Sequence, residues 1–141
     1  MDKMRMMLVD DEAGFLSTTK KLLERKGINV TTAASGHEAL EKLVGESVHV
    51  MILDVKMPGM DGVAVLKAVK SRYPLVQVVM LTGHGTVESA LEGLRSGATD
   101  YLMKPIDIDE LIAKAEEAFV RWQIMEEKIR VAEGRPPEKK K

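Results

Sequence analysis

Residues 48–62 read Val-His-Val-Met-Ile-Leu-Asp-Val-Lys-Met-Pro-Gly-Met-Asp-Gly, an apolar run that ends in a carboxylate and a turn. Apart from His49, which we interpret as structural, the run over 48–53 is continuously apolar, as is typical of a strand buried on both faces. Pro58-Gly59 predicts a turn, and Asp61 is a preferred N-cap for the helix that follows. The stretch therefore predicts a central strand of an α/β sheet, with Asp54 at its C-terminal end.

Strand-like and helix-like segments alternate on both sides of this stretch. Glycines at 27 and 97 follow two of the helices, and Ser35 with Glu38 forms a capping box at the start of another. The predicted strands are 4–9, 28–33, 48–53, 76–81 and 100–103, and the predicted helices are 13–26, 35–44, one from 61, 86–95 and one from 107. Such alternation predicts one parallel sheet with helices on both faces and right-handed crossovers.

Composition limits the classes of protein to consider. A chain of 141 residues with 45% hydrophobic and 30% charged residues is typical of one globular domain. The net charge of −1 gives no reason to expect direct nucleic-acid binding, and the absence of Cys excludes disulfides and thiol chemistry. We find no signal peptide and no run of apolar residues long enough to span a membrane, so the expected location is the cytoplasm.

Polar residues that suit phosphoryl chemistry follow several of the predicted strands: Asp10-Asp11, Asp54, Thr82 and Lys104. The C-terminal ends of parallel strands meet at one edge of the sheet, where ligands bind. Clustered carboxylates repel one another unless a cation lies among them, and hard oxygen ligands suit Mg²⁺. A Lys and a Thr beside that metal would neutralise and hydrogen-bond a phosphoryl group.

The chain resembles the receiver domain of two-component response regulators over residues 4–118. The resemblance rests on Asp10-Asp11, the stretch 54–62, Leu81-Thr82-Gly83, the stretch 97–102 and Lys104-Pro105. Each motif is weak alone, but their order and spacing are specific together. The resemblance implies a doubly wound five-stranded sheet of order 2-1-3-4-5, with five helices and a long C-terminal helix.

The resemblance also implies a role for each residue of the site. Asp54 would accept a phosphoryl group from the phosphohistidine of a sensor histidine kinase or a histidine phosphotransfer protein. The backbone carbonyl of Lys56 would join Asp10, Asp11 and Asp54 as ligands of Mg²⁺. Further roles implied by the resemblance are phosphoryl binding for Lys104, switching for Thr82 and Tyr101, tuning of the phosphoryl lifetime for Lys56 and His84, and a structural cis bond for Pro105.

Three functions compete on the residues alone. The first is a signalling switch that is not an enzyme beyond its own phosphoryl transfer, and that acts on an unidentified downstream protein. The second is a hydrolase of the phosphoaspartate type, which Lys56 disfavours because such enzymes place a carboxylate two residues after the nucleophile. The third is an unphosphorylated scaffold, which the complete acidic set disfavours.

The last helix carries apolar residues at heptad spacing. They are Leu111, Ala115, Ala118, Trp122, Met125, Ile129 and Ala132. We expect the first half to cover the sheet and the second half to form a homodimer, to begin a signalling helix, or to fold back or fray. The predicted organisation is a receiver domain at 1–121, an extension of the last helix at 122–133 and a disordered basic tail at 134–141. No DNA-binding or catalytic output domain is expected on this chain.

Overall fold

The computed structural model describes residues 3–57, 59, 61–83 and 87–136, and within them five strands alternate with five helices. The strands are β1 (Arg5–Val9), β2 (Asn29–Ala33), β3 (Val50–Asp54), β4 (Gln77–Thr82) and β5 (Asp100–Met103). The helices are α1 (Ala13–Arg25), α2 (Gly36–Gly45), α3 (Gly62–Arg72), α4 (Val87–Arg95) and α5 (Ile108–Ala132). The predicted alternation is confirmed.

The sheet is parallel throughout, in the order β2-β1-β3-β4-β5. This is the order implied by the resemblance, and it places β1 and β3 side by side at the centre. Asp54 and Thr82 are the last residues of β3 and β4. Each strand therefore continues one residue further than predicted, since the predicted strands ended at residues 53 and 81. Both side chains therefore leave from the rigid sheet rather than from a loop.

Alternate residues of the central strands supply two cores, one on each face of the sheet. Met7, Val9 and Met51 join the core beneath α2 and α3, whereas Leu8 and Ile52 join the core beneath α1 and α5. Every position of β3 is buried, and from Val50 to Leu53 the strand is apolar on both faces, as residues 48–53 indicated.

Two glycines fix the chain where it changes direction. Gly27 has φ +83° and ends α1, as the sequence predicted, because a residue with a Cβ is strained in this conformation. Gly62 begins α3 so close to β3 that an added Cβ would lie 2.5 Å from the carbonyl oxygen of Asp54. The Asp61 side chain accepts the backbone N–H of Ala64, as its predicted N-cap role requires.

The long helix α5 crosses the sheet and ends beyond its N-terminal edge. Trp122 packs against His49, with ring centroids 4.3 Å apart, and His49 Nδ1 accepts the backbone N–H of Arg5 at 2.9 Å. His49 is thus a structural residue at the base of the sheet. At the other end of the extension Gly134, with φ +70°, reverses the chain, and the N–H of Arg135 donates to the carbonyl of Arg130. Together with the bond from the N–H of Gly134 to the carbonyl of Val131, this bond forms a Schellman cap that ends the helix.

Some predictions fall on residues whose structure is not described. Pro58 of the predicted turn, His84, the predicted helix start at Thr86 and most of the tail, 137–141, lie outside the described residues. Of the predicted disordered segment 134–141, the first residues belong to the cap of α5.

Candidate functional site

Three carboxylates converge at the C-terminal edge of the sheet, between β1 and β3. One oxygen from each of Asp10, Asp11 and Asp54 lies within 4.8 Å of the others. Asp10 directly follows β1, Asp54 ends β3, and these neighbouring strands are paired as far as Val9 and Leu53. Strand pairing between segments more than forty residues apart therefore assembles the acidic cluster predicted from the sequence.

Asp54 is held in place and largely removed from water. The residue is 5% exposed, and its Oδ1 accepts the backbone N–H of Lys56 at 3.2 Å. Burial, reinforced by the negative charge of Asp10, raises the pKa of Asp54 to about 6, against the smaller opposing effect of Lys104. A buried carboxylate with a raised pKa beside other carboxylates is typical of a functional site.

Lys104 reaches the cluster from the end of β5. Its Nζ lies 2.8 Å from Asp10 Oδ2, 3.0 Å from Glu12 Oε1 and 3.8 Å from Asp54 Oδ2. Partial burial lowers the pKa of Lys104, but its contacts with Asp10 and Glu12 and the charge of Asp54 outweigh this effect and raise it. The Lys104–Pro105 bond is cis, the geometry that the resemblance implies.

The donor set fits a divalent cation. Lys104 lies close enough to Asp10 Oδ2 for an ion pair, but this buried oxygen has no aligned hydrogen-bond donor among the described residues. Burying a carboxylate is costly unless it is both paired with a charge and hydrogen-bonded. A hard cation among the carboxylates would satisfy this oxygen and would also relieve the repulsion by Asp10 that adds to the effect of burial on the pKa of Asp54. The acidic cluster can therefore hold a metal ion.

The two predicted switch residues lie on the neighbouring strands. Thr82 is buried, and its hydroxyl donates to the carbonyl of Leu102 on β5 at 3.3 Å. Tyr101, immediately before Leu102, is 39% exposed. The structure therefore shows the hydroxyl bonded across the β4–β5 pair, with the tyrosine partly in solvent.

The residues assigned to tuning are only partly described. Lys56 is exposed and lines a cleft of about 350 Å³ beside the acidic cluster, together with Asp61, Lys67 and Glu92. The backbone N–H of Lys56 donates to Asp54. The metal-binding role of the Lys56 carbonyl stays a prediction. His84 lies outside the described residues.

Sequence reasoning missed two residues that contact Lys104. Glu12 binds the Lys104 ammonium directly, and the centroid of the Phe15 ring lies 4.7 Å from Nζ, in the range of a cation–π contact. An acidic residue directly after Asp10-Asp11, with an aromatic residue one helical turn later, is the pattern that could have indicated them. Their contact with Lys104 depends on where the start of α1 lies relative to the chain that follows β5, which the local sequence does not specify.

Comparison with known proteins agrees with this geometry. The family model for the response regulator receiver domain matches residues 6–116. The chain belongs to this family. A crystal structure of a receiver domain protein from Clostridium thermocellum superposes with a TM-score of 0.82 at 34% identity, covering 86% of this chain and 98% of that one.

The curated relatives are longer proteins. This receiver is 38% identical over 116 residues to the DNA-binding transcriptional regulator NtrC of Klebsiella pneumoniae, covering 82% of the chain and 25% of the relative. It is 39% identical over 118 residues to the transcriptional regulatory protein ZraR of Escherichia coli K12, covering 84% of the chain and 27% of the relative. The chain spans about a quarter of the length of these relatives.

Membership of the family fixes the class of function. A receiver domain is a phosphoryl-accepting switch of two-component signalling and not a metabolic enzyme. In the part of the chain that the structure describes, no helix combines the length and the apolar character needed to cross a bilayer.

Proposed function

We propose that this receiver is activated when Asp54 takes a phosphoryl group from a phosphohistidine, with Mg²⁺ bound at the acidic cluster. The convergence of Asp10, Asp11, Asp54 and Lys104 carries the proposal, because it joins a nucleophile, a cation site and a cationic side chain. The phosphodonor would be a sensor histidine kinase or a histidine phosphotransfer protein.

In the transfer, one Asp54 oxygen attacks phosphorus while the bond to the donor nitrogen breaks, and the imidazole leaves with its electron pair. Asp10, Asp11, Asp54 and the Lys56 carbonyl would hold Mg²⁺, which neutralises charge on the phosphoryl oxygens. Lys104, already 3.8 Å from Asp54, would move onto a phosphoryl oxygen. The N–H of Lys56 keeps the carboxylate oriented for attack.

The donor has a surface to dock on beside Lys104. A cleft of about 480 Å³ lies between α1 and the chain after β5, lined by apolar residues that include Phe15, Leu22, Pro105 and Ile106. Its mouth lies next to the ammonium that contacts Asp54. A phosphohistidine presented on a helix lying in this cleft would approach Asp54 from the α1 side.

The switch would run through Thr82 and Tyr101. A phosphoryl group adds acceptor oxygens, which the Thr82 hydroxyl can reach only by leaving the carbonyl of Leu102. That carbonyl belongs to the residue next to Tyr101, so the change is transmitted directly to β5, and Tyr101 turns inward. The surface formed by α4, β5 and α5 would then bind the downstream protein.

Treatment with acetyl phosphate and Mg²⁺, followed by intact-mass measurement, tests the proposal. One phosphoryl adduct is expected on the wild-type protein and none on Asp54→Asn, and chelation of Mg²⁺ should abolish labelling. Sustained turnover of unrelated phosphoesters would instead support a phosphoaspartate-type hydrolase, which Lys56 at the second position after Asp54 disfavours. No adduct at all would support an unphosphorylated scaffold.

The homodimer expected from the sequence also stays a proposal, and the structure favours a different face of α5. Trp122 packs on the base of the sheet, and Ile129 lines a cleft there. These two residues of the heptad-spaced apolar set therefore face their own domain. The opposite side of the helix exposes Val120, Ile124 and Val131, at 50%, 49% and 66%. With about 3.6 residues per turn these three form one stripe.

We propose that a second copy of the chain packs along this stripe in a parallel pair. With Ile124 and Val131 at the a positions of a heptad, both are β-branched as in two-stranded coiled coils, and the d positions hold Val120 and Glu127. In the same register Glu116 would face Arg121 of the second copy, so the flanking charges are complementary.

Sedimentation equilibrium, with and without beryllofluoride as phosphoryl mimic, tests this face. Ile124→Lys should abolish the dimer, whereas Val44→Lys, at an apolar residue 79% exposed on α2, should not. Because the chain has no Cys, an Ile124→Cys variant should form a symmetric disulfide only if the helices pair in register. A monomer under all conditions would refute the dimer.

Two further expectations stay predictions: a cytoplasmic location, and the lack of direct nucleic-acid or membrane binding. The relatives matched here are about four times as long as the segment they share with this receiver.

A further inference from the structure

Glu12 occupies the N-cap position of α1 without capping the helix. Its side chain makes no cap hydrogen bond to the first turn, although the residue has the extended backbone of an N-cap. Glu is also outside the residue types preferred there. Instead, Glu12 Oε1 lies 3.0 Å from Nζ of Lys104, which is 92 residues further along the chain. The carboxylate therefore serves a tertiary contact at the edge of the site.

Lys104 is held mainly from the β1–α1 side. Its Nζ is closer to Asp10 and Glu12, at 2.8 and 3.0 Å, than to Asp54, at 3.8 Å, and the ring of Phe15 lies against it. Asp10 and Asp54 both belong to the acidic cluster that fits a cation. Glu12 lies outside that cluster, so its charge remains available to Lys104 when a metal is bound.

We infer that Glu12 is a positioning residue that holds Lys104 back from Asp54 until a phosphoryl group is present. The inference rests on the proposed function, because the group that displaces Glu12 is the incoming phosphoryl group. In the proposed transfer Lys104 exchanges the Glu12 oxygen for a phosphoryl oxygen. Glu12 thus stabilises the resting state and not the state in which Lys104 binds phosphate.

The size of the effect follows from exposure. The Glu12 side chain is 66% exposed and that of Lys104 20%, so the pair resembles a surface ion pair more than a buried one. Forming or removing a surface ion pair changes the equilibrium constant between the paired and unpaired states by about two- to fivefold. Removing the charge of Glu12 should therefore speed phosphorylation by about two- to fivefold, because Lys104 is then released more easily.

The first measurement uses metal-free protein and follows the acetylation of Lys104 by acetic anhydride. Peptide mass spectrometry compares its labelling with that of Lys128, an exposed residue of α5. Glu12→Gln should raise the labelling of Lys104 by about two- to fivefold, because its ammonium loses one partner. Glu24→Gln, which removes the same charge from an exposed position later in α1, should not.

A second variant separates positioning from helix stability. Glu12→Ser removes the carboxylate but supplies a hydroxyl that is a preferred N-cap, so α1 should be at least as stable as in the wild type. Lys104 should become more reactive in Glu12→Ser as well. If Lys104 labelling equals that of the wild type in both variants, Glu12 does not hold Lys104 and the inference is refuted.

The second measurement is the rate of phosphorylation by acetyl phosphate at saturating Mg²⁺. Faster phosphorylation of Glu12→Gln than of Glu24→Gln, with faster Lys104 acetylation, supports the inference. An unchanged or slower rate overturns it even if Lys104 is freed. If wild-type protein gains no phosphoryl mass, the proposed function fails. The inference about phosphorylation fails with it, while the acetylation result still decides whether Glu12 holds Lys104.

Discussion

The raised pKa of Asp54 predicts that Asp54→Asn stabilises the metal-free protein at neutral pH. In the wild type a charged carboxylate is buried beside Asp10, and burial is the larger cause of the shift from 3.8 to about 6. Asn has nearly the same shape as the neutral acid but carries no charge to desolvate. The substitution therefore removes an unfavourable charge and retains an acceptor for the N–H of Lys56.

The pH dependence follows from proton linkage. Between pH 4 and pH 6 the folded wild-type protein binds a proton at Asp54 that the unfolded chain has already released. Its stability therefore falls as the pH rises through this window. At roughly 1.4 kcal/mol per pH unit, the interval from 3.8 to about 6 gives an upper figure of about 3 kcal/mol. The advantage of Asp54→Asn should be near zero at pH 4 and reach this figure above pH 6.

Urea denaturation in EDTA between pH 4 and pH 8, followed by circular dichroism, measures the difference. Glu41→Gln, at an exposed position of α2, is the matched acid-to-amide control and should show no such trend. Addition of Mg²⁺ should stabilise the wild type more than Asp54→Asn, because a bound cation removes the repulsion. Equal stability of the two proteins at pH 7.5, or a gain that persists at pH 4, would refute the reasoning.

Three further predictions concern packing and the switch. Gly62→Ala should lower the free energy of unfolding, measured in urea, by about 1–3 kcal/mol, because its Cβ would lie 2.5 Å from the backbone oxygen of Asp54. Gly14→Ala, at a position with open space around it, should not lower it. Thr82→Ala should still be phosphorylated, but the NMR signals of the Tyr101 ring should no longer shift with beryllofluoride. A normal shift would exclude coupling through the hydroxyl. Trp122→Ala should cost about 2 kcal/mol and increase amide exchange in the second half of α5, and unchanged exchange would show that the ring contacts do not hold the extension.

The site illustrates how far strand-end reasoning extends. Asp10, Asp54 and Lys104 could be placed together because each follows an apolar segment, and parallel strands bring such positions to one edge of the sheet. The contact between Glu12 and Lys104 could not be predicted in the same way. It depends on where the start of α1 lies relative to β5, two elements separated by most of the chain.

In the last helix the apolar pattern was predicted correctly, but the surface that this pattern packs against was not. Heptad spacing predicted an apolar seam from Leu111 onward, and Leu111, Ala115 and Ala118 are indeed buried. The same spacing could not say whether Trp122 would face a second molecule or its own domain. In the structure it packs on His49, because α5 continues past the edge of the sheet where that residue lies.

The sequence by itself determined the alternation of strands and helices, the buried character of β3 and the identity of the acidic residues at the strand ends. These properties depend on local periodicity, on capping residues and on which side chains follow each apolar run, all of which can be read along the chain. Only the tertiary structure decided which oxygens approach Lys104, how strongly Asp54 is removed from water and which face of α5 remains exposed. These distances and degrees of burial depend on how separate elements pack against one another. A rotation of one helix, or a shift of one loop by a residue, would change them.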